Sequence, residues 1–163
     1  MLRKSLVPAI LLLGFAVNCY SQAHHEESMR GLHGVFIYVH PVDKDIDAGG
    51  LSTNQIHNAV VKALGSAGIT VYSEPQPAEA SANLIIEVNL VKHPQGPYLY
   101  GVEVALVQEV HLSRTKGSEP LPAKTWSANA LGLTSANRTD LILQPVVAKV
   151  NKFIVEYRAM NRQ

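Results

Sequence analysis

The sequence predicts an α+β domain: a two-layer sandwich in which a mostly antiparallel sheet of about five strands carries two helices on one face. Two segments repeat apolar residues at intervals of three and four, the period of a helix with one buried face. Several others alternate apolar and polar residues or run β-branched, as strands do. With 47% hydrophobic and 17% charged residues, the 163-residue chain is apolar enough to build a core and too apolar for intrinsic disorder.

Taken in order, Val35 to Val39 reads as a strand covered on both faces. Pro41, three aspartates and Gly49-Gly50 then make a loop. Ser52 opens a helix, because Gln55 stands at the spacing where the two side chains satisfy each other's backbone amides. Ile56, Ala59, Val60, Ala63, Leu64 and Ala67 form its apolar face, and Gly68 ends it. Ile69 to Tyr72 follows as a short strand, which suggests a parallel crossover back to the first.

After a loop over 73–81, Leu84, Ile86, Val88 and Leu90 alternate with Asn83, Glu87 and Asn89. A turn at 93–97 leads to a long strand with Tyr98, Tyr100, Val102, Val104, Leu106, Val110 and Leu112 on one side. Glu103, Glu109 and His111 lie opposite. A last strand, Thr125 to Leu133, places Trp126, Ala128 and Ala130 together. The terminal helix buries Ile142, Val146, Val150, Phe153 and Tyr157, and Pro145 is compatible with it only in the first turn. The predicted order is β-α-β-β-β-β-α.

The N-terminus has a different character. Arg3 and Lys4 precede an apolar run from Leu6 to Val17, and Ser21-Gln22-Ala23 closes the segment as a small-residue cleavage site. This is the pattern of a secretory signal peptide. The run is well short of the roughly 20 residues that span a bilayer. The expected division is therefore a signal peptide over 1–23, a flexible lead-in over 24–31 and one domain over 32–163. Cys19 offers a lipidation alternative, but Asn18 before it is bulkier than the Gly, Ala or Ser that such processing uses. The expected product is periplasmic or secreted, anchored at the outer membrane only if Cys19 carries lipid, with no transmembrane span.

Composition excludes several function classes. Fourteen basic against thirteen acidic side chains give a formal charge of +1, which excludes nucleic-acid binding through bulk charge. A single Cys excludes a disulfide framework or a multi-Cys metal site. There is no G-x-S-x-G elbow, and Gly65-Ser66-Ala67-Gly68 lacks the GK[ST] of a phosphate cradle.

The strings GLHGVFIYV, AGITVY, VALVQEVHLSR, KTW and NKFIVEYRAMN resemble a family of small exported bacterial proteins of uncharacterised function. At the level of fold, the element order resembles the envelope-assembly domains of LptE-like and transporter-auxiliary lipoproteins. The resemblance implies a fold and an envelope setting. It carries over no catalytic residue, since the matching residues are core and strand features.

Three constellations invite chemistry. Asp43, Asp45 and Asp47 alternate ahead of two glycines, as in a calcium loop, but the twelfth position is Asn54 where that loop uses a bidentate Glu. His24 and His25 would chelate copper or nickel only if processing left two residues ahead of a His, so a metal carrier stands as an alternative. Glu109 and His111 share a strand face, and with Glu103 they outline a second alternative, a small hydrolase or metal-dependent enzyme. The expectation is nevertheless no enzyme, no cofactor and no metal. The leading reading is a non-catalytic binding or assembly domain of the bacterial envelope, whose partner is another envelope protein or an apolar ligand. Its expected contact surface is the uncovered sheet face with Ile85, Val91, Leu99 and Val107, beside Glu109 and His111.

Overall fold

The structure, a computed structural model, describes residues 25–48, 50–75, 81–94, 97–115, 117, 119–135 and 137–161. The expected signal peptide, Cys19 and His24 lie outside the described residues. The elements are β1 (Gly34–Val39), α1 (Lys44–Ala48), α2 (Thr53–Ser66), β2 (Thr70–Tyr72), β3 (Ser81–Lys92), β4 (Tyr98–Val110), β5 (Leu121–Thr134) and α3 (Leu143–Met160). Short 3₁₀ turns at Glu26–Met29 and Thr139–Ile142 precede β1 and α3.

The five strands form one sheet in the order β2-β1-β3-β4-β5. β1 pairs parallel with both β2 and β3, whereas the longer β3–β4 and β4–β5 ladders are antiparallel. The fold is thus the expected α+β class, with a mixed sheet. The crossover from β1 through α2 to β2 supplies one parallel neighbour. β3 lies on the other side of β1.

Local chemistry sets the ends of α2. Ser52 Oγ accepts from the Gln55 amide at 3.3 Å, and Gln55 Oε1 accepts from the Ser52 amide at 2.7 Å. At the other end Gly68 adopts φ +76°, a conformation a Cβ would strain. This lets the Gly68 and Ile69 amides bond back to the Gly65 and Leu64 carbonyls, closing the last turn. α3 starts from its 3₁₀ turn, so Pro145 falls in the first helical turn, where its missing N–H costs nothing.

Alternation sorts the sheet into two faces. Val35, Ile37 and Val39 of β1 and Leu84, Ile86 and Val88 of β3 point to the same side as Val102, Val104 and Leu106 of β4. Trp126 and Ala128 of β5 join them. Ile56, Val60 and Leu64 of α2 and Val146, Val150, Phe153 and Ile154 of α3 pack onto that side and complete one continuous core. Trp126 and Phe153 meet edge to face at 5.4 Å, and the indole donates to Glu156, fastening β5 to α3. Tyr98 and Tyr100 also lie on the helix-covered side, Tyr98 buried and Tyr100 partly buried against the core.

Three local expectations are corrected. The acidic segment is not a loop, since residues 44–48 form α1 and Asp43 O accepts from the Ile46 and Asp47 amides at 3.0 Å. Its residues are held because Ile46 is fully buried and Thr139 donates to the Ile46 carbonyl at 2.7 Å. The lead-in is not free either. Met29 is fully buried in the core, and Asn161 clamps the segment by accepting from Gly31 N and donating to Met29 O, both at 2.8 Å. Finally, β4 ends at Val110, so His111 and Leu112 follow the strand and do not belong to it.

Candidate binding surface

The side of the sheet turned away from the helices is built of rows that cross β3, β4 and β5, each row two residues from the next. The registers fix them: Val91–Leu99–Leu133, Asn89–Gly101–Leu131, Glu87–Glu103–Asn129, Ile85–Ala105–Ser127 and Asn83–Val107–Lys124. The first two rows are apolar apart from Asn89, and they are exposed. Val91 is 61% accessible, Leu99 44%, Leu131 79% and Leu133 67%. Leu131 leans over Gly101, where the absent side chain leaves it room. The result is a hydrophobic corner at the β3–β4 turn end of the sheet, bounded on one side by the outer edge of β5.

The middle row is acidic. Glu87 and Glu103 stand directly opposite each other, an arrangement that costs stability unless each charge is compensated. Asn89 donates to Glu87 at 2.8 Å, and Lys124 pairs with Glu103 at 2.5 Å. These partially exposed contacts are worth little individually, but they occupy both carboxylates. Beyond them Ala105 is buried between Ile85 and Ser127, and the face closes over its own side chains there.

Ile85, Val91, Leu99, Val107 and Glu109 all fall on this open face, although they do not form one cluster. Val91 and Leu99 are direct cross-strand neighbours in the exposed corner. Ile85 and Val107 are half-buried, three and four rows away. Glu109 is exposed opposite Pro122, and His111 is exposed just past the strand. Glu103 lies three rows from Glu109 and is held by Lys124, so the face brings no catalytic trio together around Glu109. Leu131 and Leu133 are the residues that the sequence reading passed over. Their signal was present: if Trp126, Ala128 and Ala130 face the core, Leu131 and Leu133 must face away.

The other candidates disperse. In α1, residues two apart differ by about 200° around the helix axis. The segment is a helix and not the extended loop in which alternate aspartates gather around calcium. Among the described residues, no group of three or more His, Cys, Asp or Glu side chains is placed to hold a metal. His25 Nδ1 lies 3.0 Å from the Thr125 carbonyl, so the described chain begins against β5.

A groove of about 530 Å³ lies between the ends of the helices, lined by Arg30, Leu32, His33, Tyr157, Met160 and Asn161. Most of its polar groups serve the fold. Arg30 grips Glu27 with two nitrogens, and Tyr157 donates to Leu32 O at 2.6 Å. Burial, and secondarily the Tyr72 phenol, raises the Tyr157 pKa above its ordinary value. This side chain is a protonated strut, not a base.

In comparisons with known proteins, no family model and no curated protein matches this chain.

Proposed function

We propose that the protein is an exported, non-catalytic binding or assembly domain of the bacterial cell envelope, and that it engages its partner through the open face of its sheet. One observation carries the reading: four large apolar side chains, Val91, Leu99, Leu131 and Leu133, stand exposed and adjacent at one corner of that face. Scattered exposed leucines are ordinary, whereas a contiguous apolar patch with a polar border marks an interaction surface. The neighbouring carboxylates support binding over chemistry, because Glu87 and Glu103 are engaged by Asn89 and Lys124. The envelope setting rests on the basic start, short apolar run and small-residue cleavage site over 1–23.

A photo-reactive residue placed at Leu99 or Leu131 in producing cells tests this, with the exposed Lys62 on α2 as the control position. The expected result is a discrete adduct from the sheet positions and none from Lys62. Intact-mass analysis of the exported product is expected to find a chain starting at His24. A cytoplasmic protein that retains residues 1–23 and yields no adduct from either sheet position overturns the proposal.

A further inference from the structure

We infer that the occupant of this corner is a second copy of the chain, paired antiparallel along the outer edge of β5 with Gly132 on the two-fold axis. The inference rests on the binding-surface reading and adds the identity of the partner.

The first argument comes from the edge. β5 is the last strand of the sheet and runs fourteen residues. Free edges of that length invite another strand unless they are protected. The first half of β5 is protected: Pro122 lacks a donor, Lys124 carries a charge, and a register shift at Leu106/Val107 makes Thr125 an extra residue. His25 also sits on the Thr125 carbonyl. The second half, Ala128 to Thr134, contains no proline, no charge and no register shift. Among the described elements, none pairs with its outer side.

The second argument is self-complementarity. A two-fold axis through Gly132 sets Leu131 opposite Leu133 of the second copy, and Leu133 opposite its Leu131. Both pairs lie on the open face, at the cross-strand distance where apolar side chains touch. The row Val91–Leu99–Leu133 then continues into the second copy's Leu131, and the reciprocal row does the same. On the helix-covered side Ala130 meets Thr134, and Gly132 meets itself beneath the Tyr100 phenol of each copy. The contact is isologous, hence closed at two copies. Because the stretch is uncharged, self-pairing brings no like charges together.

The third argument is size. With Gly132 on the axis the paired stretch is Ala130 to Thr134, about 17 Å long. With its leucines a stretch of that length gives a contact of less than about 1,000 Å² in total, in the range of weak, transient interfaces. A reversible dimer is therefore expected, not an obligate one.

Sedimentation of the protein as cells export it, from low to high micromolar concentration, is the test. The weight-average mass should rise from monomer toward dimer, and Leu131→Lys with Leu133→Lys should hold it at monomer with unchanged circular dichroism and melting. The register is checked by mixing Leu131→Cys with Leu133→Cys proteins, both with Cys19→Ser. Under mild oxidation the mixture should cross-link faster than either protein alone. A dimer indifferent to the two lysines overturns the inference. So does a protein that stays monomeric throughout. In that monomeric case, an apolar fluorescent dye that binds the wild type and is lost in the lysine variant leaves the binding-surface reading standing. Absence of both dimer and dye binding removes the two together.

Discussion

The phenol end of Tyr100 on β4 reaches over Gly132 on β5, so close that a Cβ at position 132 would stand 2.7 Å from Tyr100 Cε1. The two residues are direct cross-strand partners on the helix-covered face. The glycine gives the phenol a floor, and the phenol covers backbone that a glycine would otherwise leave bare.

Gly132→Ala should destabilise the fold by about 1–3 kcal/mol, because the Tyr100 ring must leave a packed position. Combined with Tyr100→Ala, the same glycine replacement should cost much less than it does alone. Denaturant midpoints for the two single variants and the double variant measure the coupling. Simple additivity would show that the ring is free to move aside.

Thr139 is fully buried and donates to the Ile46 carbonyl in α1. Thr139→Val keeps the volume but strands that acceptor, so we expect a loss of about 1–3 kcal/mol in urea unfolding. Thr139→Ser retains the donor and should lose less. A loss in Thr139→Ser with none in Thr139→Val would assign the stabilisation to the methyl group.

Burial and Tyr72 raise the Tyr157 pKa above the 10.0 of a free phenol. The unfolded chain gives up this proton first as pH rises. Stability attached to the neutral phenol is therefore complete below about pH 10 and declines as pH climbs toward the folded value. Tyr157→Phe should lower stability at neutral pH by about 0.5–1.5 kcal/mol, through loss of the bond to Leu32 O. It should also flatten the alkaline limb of melting temperature against pH. An unchanged alkaline slope in the variant would exclude this tyrosine as its source.

Ser52→Ala removes the acceptor for the Gln55 amide and half of the reciprocal cap. A loss of about 1 kcal/mol is expected, and Ser52→Asp should recover most of it. Thermal unfolding followed by circular dichroism reads both.

Much of this architecture was legible because it is local. The Ser52–Gln55 cap, the Gly68 stop, the α3 stripe and the alternation in β3 each arise from sterics and hydrogen bonds within a few residues. Helix α1 escaped the reading because three aspartates and two glycines favour a loop. The buried Ile46 and its bond from Thr139, far along the chain, anchor it as a helix. Met29 escaped for a similar reason, since its neighbours are polar and its burial depends on α3 and Asn161.

The sequence by itself determined the fold class, the limits of the main helices and which residues of each strand share a side. Tertiary structure alone decided that β1 lies between β2 and β3, that β5 is an edge, and that Val91, Leu99, Leu131 and Leu133 come together in the open. Strand order is chosen by pairing and burial between segments tens of residues apart. Alternation can say that Leu131 points away from Trp126, but whether anything covers it depends on every other layer of the fold.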